Sequence, residues 1–232
     1  MEGATYSARR GELETYFDRT ASEAWARLTS DAPVSGIRAT VRAGRAEMRA
    51  TLLSWLPREM AGLRVLDAGC GTGALANEAA ARGAAVVAVD LAGSLIAHAR
   101  ARAAALPGNQ PDFRVGDMLD ESLGAFDHVV AMDSLIHYRA EDIVEALARV
   151  APRCRASLLF TVAPRTPLLA AFHALGRLFP RGDRAPAIEP LAEARLRRLI
   201  AAEPRLAGFA PGRHRRVARG FYTSHAYEWV RR

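Results

Sequence analysis

Hydrophobic and polar residues follow two different periods along this chain. Up to about residue 60, apolar residues return at helical spacing over two stretches, residues 12–28 and 36–56. The apolar stripe of the second stretch consists of Ile37, Val41, Met48, Leu52 and Trp55. Spacings of three, four and seven residues place side chains on one helical face, so both stretches are predicted to form amphipathic helices.

From residue 63 the pattern changes to short apolar runs that alternate with helical stretches. The runs are predicted to be strands, and they read "LRVLDAG", "AAVVAVD", "DFRVGD", "FDHVVAMD" and "ASLLFTV". Three helices are predicted between them: one that follows the first run and ends at about residue 82, one over residues 94–106 and one near residues 141–150. Such alternation requires crossover connections, so we expect a parallel sheet that is covered on both faces.

Beyond residue 166 the pattern predicts an apolar helix to about residue 179, a loop to about residue 190 and a helix to about residue 202. A strand-like pair, "RHRRVARGFYTSHAYEWV", follows. No apolar stretch reaches the roughly 20 residues that span a bilayer, and the opening residues lack the apolar block of a signal peptide. We therefore expect a soluble or peripheral protein.

Composition and charge narrow the class of partner. The chain has 232 residues, half of them hydrophobic, which is enough for one domain with extensions. All 32 basic side chains are arginines, and residues 177–232 carry 13 of them against 5 acidic residues. Genome composition explains the missing lysines, but the local excess favours a carboxylate substrate, anionic lipid or nucleic acid as partner.

With only Cys70 and Cys154, a disulfide framework and a four-thiolate zinc site are excluded, which favours a reducing, cytoplasmic setting.

The stretch "VLDAGCGTGA" places glycines where the first strand turns into the first helix of the predicted sheet. Open α/β sheets bind ligands at this point, but the glycines alone would also suit a dinucleotide. Asp67 favours a ligand with an ammonium group, S-adenosylmethionine, over NAD. Asp90, about 20 residues further on, is placed to accept both ribose hydroxyls. Asp117 is placed to accept from an adenine amino group, with Met118 beside the ring.

These three acids and the D-x-G-x-G-x-G element resemble the class I S-adenosylmethionine-dependent methyltransferases, over residues 63–162. The resemblance implies a seven-stranded, mostly parallel, doubly wound, Rossmann-like sheet whose last strand is antiparallel. It divides the chain into an N-terminal helical cap (1–60), a cofactor-binding core (61–163), a helical substrate-side insertion (164–204) and C-terminal strands that complete the sheet (205–232). The expected cofactor contacts are Asp67, Gly69, Cys70, Gly71, Asp90, Leu91, Asp117, Met118 and Met132.

The segment after the fourth strand, "MDSLIHYRAED", indicates the class of acceptor. It has neither the Asn/Asp-Pro-Pro-aromatic element of amino-methylating nucleic-acid enzymes nor the Pro-Cys of cytosine-C5 enzymes, which removes the nucleic-acid interpretation. Asp-x-Leu-Ile-His-Tyr closely resembles the magnesium protoporphyrin IX O-methyltransferases of chlorophyll and bacteriochlorophyll biosynthesis. Four other segments agree: "YFDRTASEAWARL", "IRATVRAGR", "TVAPRTPLL" and "GFYTSHAYE".

The resemblance implies methyl transfer from S-adenosylmethionine to one propionate carboxylate of Mg-protoporphyrin IX. A carboxylate is ionised at neutral pH, so no strong base is required, and positioning and exclusion of water are expected to dominate. His137, the candidate catalytic residue, is expected to position the propionate or contact the porphyrin magnesium; the alternative is an exposed histidine that opens a helix. Tyr138 is expected either to contact the substrate or to pack.

Arginines are the expected partners of the substrate's carboxylates, because bidentate pairing fixes direction. Arg165 is the first candidate, and Arg42, Arg45 and Arg219 are weaker ones. Thr29 is a further substrate-side residue, but many family members carry Ile-Tyr-Gly where this chain reads Leu-Thr-Ser, so the tyrosine's role does not transfer to Thr29 intact. No protein metal site is expected, because the magnesium arrives with the substrate.

Two rival classes of function remain open at this point. One is a methyltransferase for another small molecule, and the other is a non-catalytic tetrapyrrole-binding carrier. The resemblance also suggests contact with magnesium chelatase. A cytoplasmic location, peripheral to the inner or photosynthetic membrane, follows as an expectation.

Overall fold

The computed structural model describes residues 2–16, 18, 36–165 and 188–232, and a seven-stranded sheet forms its centre. The strands are β1 (Arg64–Ala68), β2 (Ala85–Asp90), β3 (Asp112–Val115), β4 (Phe126–Ala131), β5 (Cys154–Val162), β6 (Phe209–Arg219) and β7 (Tyr222–Arg231). Their order is β3-β2-β1-β4-β5-β7-β6. The first five strands pair in parallel, and β7 is antiparallel to both of its neighbours, which confirms the predicted sheet.

Six α-helices accompany the strands in the described part of the chain. They are α1 (Glu2–Thr15), α2 (Gly36–Trp55), α3 (Ala74–Ala81), α4 (Gly93–Ala104), α5 (Ala140–Val150) and α6 (Glu193–Ala202). Five of them lie within a few residues of the predicted bounds. The predicted apolar helix after residue 166 falls on residues 166–187, which lie outside the described residues. The four-part division of the chain stays a prediction.

The prediction for the first helix was wrong in its start. Helix α1 begins at Glu2, ten residues before the predicted start, and residues 19–28 of the predicted helix lie outside the described residues. Its sequence has little apolar stripe, and among those of its side chains that the structure describes Leu13 is the buried apolar one. Tyr6 and Arg10 instead hydrogen-bond across the fold. Apolar periodicity cannot detect a helix that docks through polar contacts.

Two apolar layers cover the faces of the sheet. One contains strand residues such as Leu66 and Phe160 together with the apolar side of α5 and the α6 residues Leu196 and Ile200. The other joins α2, α3 and α4 to the opposite face. Alternate residues of a strand point to opposite faces, so β1 contributes Leu66 to the first layer and Val65 to the second. This is the doubly wound arrangement that the alternating pattern predicted.

The topology brings the ends of distant segments to one edge. The carboxyl ends of β1 to β5 all lie there, and so does the turn between β6 and β7, because β7 runs in the opposite direction. Helix α2 packs along the β6–β7 hairpin on the same side of the molecule. Among the described helices, none is both long and apolar enough to cross a membrane.

Candidate cofactor and acceptor site

A cavity opens at the carboxyl edge of the sheet, between the strand ends and α1. The residues that line it come from the strand-end turns, from α1 and from α2: Tyr6, Leu13, Arg45, Gly69, Gly71, Val89, Asp90, Leu91, Ala92, Leu95, Gly116, Asp117, Met118, Met132, Asp133, Ser134, His137 and Tyr138. Nine of the predicted site residues, spread over 70 positions of the sequence, are therefore brought together, and the weaker candidate Arg45 joins them.

The glycine turn has the backbone form that its sequence requires. Gly69 has a φ of 80°, and an added Cβ there would overlap the Cβ of Ser134. Gly71 and Gly73 also have positive φ. The N–H groups of Gly69 and Cys70 both donate to the carbonyl of Val89, at 2.8 and 2.9 Å, which ties the turn to β2. A side chain at Gly69 would collide with Ser134 and would be strained at this φ, so the glycine is a steric requirement.

Asp90 connects the glycine turn to the end of β2. One carboxylate oxygen accepts from the N–H of Gly71 at 2.8 Å, and the other accepts from the N–H of Ala92 at 3.0 Å. Burial raises the pKa of this carboxyl. Each oxygen keeps a second lone pair, so a carboxylate fixed in this way can still accept the two hydroxyls of a ribose.

Asp67 lies beneath the cavity and does not line it. Burial, together with the nearby negative charge of Asp90, raises the pKa of its carboxyl to about 7. Its Oδ2 atom is buried without a hydrogen-bond partner among the described residues. Such a carboxyl gains from a positive charge in the cavity, because opposite charge favours its ionised form. Cys70 also stays out of the cavity lining, and its contribution is the backbone N–H described above.

Asp117 is held by helix α1, which sequence reasoning did not predict. Its Oδ1 accepts from the N–H of Leu119 at 2.9 Å and from the hydroxyl of Tyr6 at 3.2 Å. Its Oδ2 accepts from Arg10 at 3.0 Å. Tyr6 also stacks on Tyr138, with ring centroids 5.0 Å apart. Helix α1 therefore covers the side of the cavity where the adenine ring was expected.

A buried acid that sequence reasoning left without a role occupies the centre of the site. Asp133 follows β4 with a φ of 54°, and its side chain is 3% exposed. The carboxylate accepts from Tyr222 at 3.1 Å, from Ser224 and Thr161 at 3.2 Å and from Arg45 at 2.8 Å. Its backbone N–H donates to the Thr161 hydroxyl at 2.7 Å. Three neutral donors and one cation satisfy this anion, which in turn orients Arg45 at the cavity wall.

The Asp133 cluster brings together segments that lie far apart in the sequence. Its members lie in "IRATVRAGR", "MDSLIHYRAED", "TVAPRTPLL" and "GFYTSHAYE". These are four of the five segments that carried the resemblance, and they meet at a single carboxylate. The available signal was an acid directly after a strand, the same signal that pointed to Asp90 and Asp117.

His137 lies in a short 3-10 turn, Leu135–His137, at the cavity wall. It is 8% exposed, so the alternative of an exposed histidine is wrong. Its carbonyl accepts from the Nε of Arg9 at 2.9 Å, which ties the turn to α1. His137 also lines a second, polar cavity that is bordered by Arg9, Arg139, Asp142 and Glu189. Tyr138 is 4% exposed and packs on Tyr6, so it combines packing with a place in the cavity wall.

The first candidate for a carboxylate partner is not in this cavity. Arg165 is exposed, and its backbone N–H donates to the carbonyl of Leu191 at 3.0 Å. Among the weaker candidates, Arg219 pairs with Glu47 at 2.7 Å, whereas Arg45 lines the cavity. Thr29 lies outside the described residues.

The comparisons with known proteins agree with this geometry. Over 225 residues, covering 97% of each chain, the sequence is 50% identical to the magnesium-protoporphyrin O-methyltransferase of Rhodobacter capsulatus. The chain belongs to the magnesium-protoporphyrin O-methyltransferase family. The family's enzyme from Synechocystis is 30% identical over 223 residues, covering 94% of this chain and 95% of that one. The model of the family's C-terminal region matches residues 131–231, and a general methyltransferase domain model matches residues 65–156.

Solved structures of the family place the fold and the cofactor. The magnesium protoporphyrin IX methyltransferase of Synechocystis with bound S-adenosylhomocysteine superimposes with a TM-score of 0.84, at 28% identity, over 97% of this chain and all of that one. The same enzyme with bound S-adenosylmethionine gives a TM-score of 0.80 at 25% identity, over 97% of each chain. The family uses S-adenosylmethionine.

The residues present fit this cofactor. Gly69 and Gly71 line the cavity without side chains, and Oδ2 of Asp67 and the hydroxyl of Ser134 are buried without a hydrogen-bond partner among the described residues. Asp90 offers a fixed carboxylate to a diol, and Asp117 offers one to an amine. No group of three or more histidine, cysteine or acidic side chains that could hold a metal ion is found in the described ranges.

Proposed function

We propose that this protein transfers the methyl group of S-adenosylmethionine to a propionate carboxylate of Mg-protoporphyrin IX, giving the monomethyl ester and S-adenosylhomocysteine. The observation that carries the proposal is the cavity in which Asp90 and Asp117, the cofactor acids, meet His137 and Arg45. The 50% identity to the Rhodobacter enzyme over nearly the whole chain supports the choice of acceptor.

The cofactor supplies an electrophilic methyl group on a cationic sulfur. The acceptor carboxylate is already ionised, so no proton has to leave during the transfer. What the protein must supply is an aligned pair of reacting atoms in a site from which water is excluded. The glycine turn, Asp90 and Asp117 fix the donor, and the cover formed by Tyr6 and Leu13 of α1 closes the donor side against water.

We assign the orientation of the acceptor to His137 and Arg45. Both line the cavity, and both are held from behind: His137 through its carbonyl by Arg9, and Arg45 by the carboxylate of Asp133. The guanidinium group of an arginine held in this way has a fixed orientation. It therefore suits a carboxylate better than the guanidinium of a mobile surface arginine does. Arg45 therefore replaces Arg165 as the first candidate.

Methyl transfer can be tested directly with purified protein, radiolabelled S-adenosylmethionine and a panel of acceptors. The expected result is label in Mg-protoporphyrin IX, with a product heavier by one methylene group, and no label in protoporphyrin whose propionates are already esterified. Label in a different small molecule would identify another methyltransferase. Binding of the porphyrin without label in any acceptor would identify a carrier.

We further propose a cytoplasmic protein with peripheral contact to the inner or photosynthetic membrane and with contact to magnesium chelatase. The arginine excess of residues 177–232 supports attraction to anionic surfaces, which salt screens over about 10 Å at 0.1 M. A transfer assay with chelatase and labelled porphyrin would test the contact with chelatase. If the two proteins contact each other directly, an inert competitor protein should not slow the transfer of porphyrin from chelatase to this protein.

A further inference from the structure

Two large apolar side chains are exposed at one point of the surface, at the carboxyl edge of the sheet. Ile37 at the start of α2 is 57% exposed, and Phe221 in the β6–β7 turn is 56% exposed. Thr40 connects them: its hydroxyl donates to the carbonyl of Ile37 at 2.8 Å and accepts from the N–H of Phe221 at 3.5 Å. A single exposed apolar residue is ordinary, but two in one place form an apolar projection.

The position of Ile37 on its helix explains its exposure. Ile37 belongs to the apolar stripe of α2, whose later members Met48 and Leu52 are completely buried against the sheet. Eleven residues before Met48, the same face of the helix has reached the tip of the β6–β7 hairpin, where the sheet ends. The apolar face therefore continues past the surface on which it packs, and covering it with another apolar phase would be favourable.

Two arginines lie beside this projection. Arg38 follows Ile37 and is exposed, and Arg42 lies one turn further along α2. Apolar tips beside cations match an anionic lipid surface, whose headgroups attract arginine while its acyl chains take up the apolar side chains.

We propose that these residues, which we call the Ile37–Phe221 patch (Ile37, Arg38, Arg42 and Phe221), bind an anionic lipid bilayer and turn the mouth of the cavity toward it. Arg38, Arg42 and Arg45 are spaced by four and three residues, so they share one side of α2, and Arg45 lines the cavity. The arginines thus form a row from the lipid surface to the site. The proposal rests on the proposed function, because a large apolar substrate with two carboxylates collects at the same interface.

Cosedimentation of the full chain with vesicles tests the proposal. Vesicles of phosphatidylcholine with added phosphatidylglycerol are expected to bind the protein at low salt, and vesicles of phosphatidylcholine alone at least tenfold more weakly. The double variant Ile37→Ala/Phe221→Ala should weaken binding roughly 10- to 100-fold, and Arg38→Gln about fivefold. Phe221→Trp should show a blue-shifted emission on binding. Leu106 and Val230 are matched controls, because they are 45% and 40% exposed at the opposite end of the sheet.

Several results would overturn the proposal. It is wrong if the double variant binds vesicles as the wild type does, or if Leu106→Ala or Val230→Ala weakens binding equally. Equal binding to both kinds of vesicle would remove the role of the arginines. Methylation in detergent gives the separate readout: Ile37→Ala/Phe221→Ala should retain wild-type turnover there. Normal turnover without vesicle binding refutes the patch alone, whereas patch-dependent binding without any turnover refutes the proposed function alone.

Discussion

Replacing Asp133 tests whether the hydrogen bonds around its carboxylate organise the site or are incidental to it. Two substitutions act differently on it. Asparagine tolerates the positive φ of this position but removes the negative charge, whereas alanine removes the charge and adds backbone strain. In Asp133→Asn, one amide oxygen must replace two carboxylate oxygens, and the amide N–H₂ would face Arg45 or a hydroxyl donor.

The magnitude follows from the partners. A hydrogen bond to a charged group contributes about 1.5 to 3 kcal/mol, and the partners of one carboxylate are not additive. We expect Asp133→Asn to lower the free energy of unfolding by about 2 to 3 kcal/mol. Asp133→Ala should cost about 1 to 2 kcal/mol more, because alanine in the left-handed region is strained and three buried hydroxyls lose their acceptor.

Urea denaturation followed by circular dichroism measures both losses, and a cycle with Arg45→Met measures the coupling. We expect a coupling of about 1 to 2 kcal/mol between Asp133→Asn and Arg45→Met. Glu141→Gln is the control, since it breaks an exposed pair with Arg195 and should cost less than about 1 kcal/mol. If Asp133→Asn is no more costly than Glu141→Gln, and its effect adds to that of Arg45→Met, Asp133 does not organise the site.

Three further changes test single groups of the site. Asp90→Ala should weaken cofactor binding by about 1 to 3 kcal/mol in calorimetry, and wild-type affinity would remove Asp90 from the ribose site. His137→Ala should leave cofactor affinity nearly unchanged and lower turnover about 10- to 1000-fold, and His137→Gln should recover part of the activity. If His137→Gln recovers none, and the wild-type rate follows a single ionisation near pH 6 to 7, His137 acts as a base instead. The raised pKa of Asp67, about 7, means that the folded state binds its proton more tightly than the unfolded state does. The protonated carboxyl therefore stabilises the fold at low pH, and the free energy of unfolding falls by up to about 4 kcal/mol as the pH rises from about 4 through 7. In urea denaturation at a series of pH values, Asp67→Asn should lack this fall. If the pH dependence is unchanged in the variant, other groups cause it.

Local patterns predicted the fold because the sheet is built from consecutive βα units. The short apolar runs, the glycine turn and the acids Asp90 and Asp117 are each recognisable within about ten residues of sequence. Nearly all described helices and strands could be predicted in this way, as could the edge at which the site forms.

Long-range polar contacts set the limit of this prediction. Tyr6 and Arg10 dock α1 through Asp117, more than 100 positions away, and nothing in the sequence near α1 marks that contact. Arg165 was chosen because it follows a strand end, but the direction of its side chain depends on the β-bridge between Pro164 and Leu191. Arg45 could not be preferred over its neighbours, because its orientation depends on an acid 88 positions further on.

The separation of Asp133 from its donors has a consequence for synthesis on the ribosome. Arg45 has already been made when Asp133 is added, but Tyr222 and Ser224 come 89 and 91 positions later, in the last strand. Until β7 inserts between β5 and β6, Asp133 lacks two of its three hydroxyl donors, and the edge of β5 that β7 covers is unpaired. The Asp133 cluster of this domain therefore cannot be complete before the last strand has been made. Its site is completed in one late step, so a chain that is interrupted early lacks an ordered acceptor site.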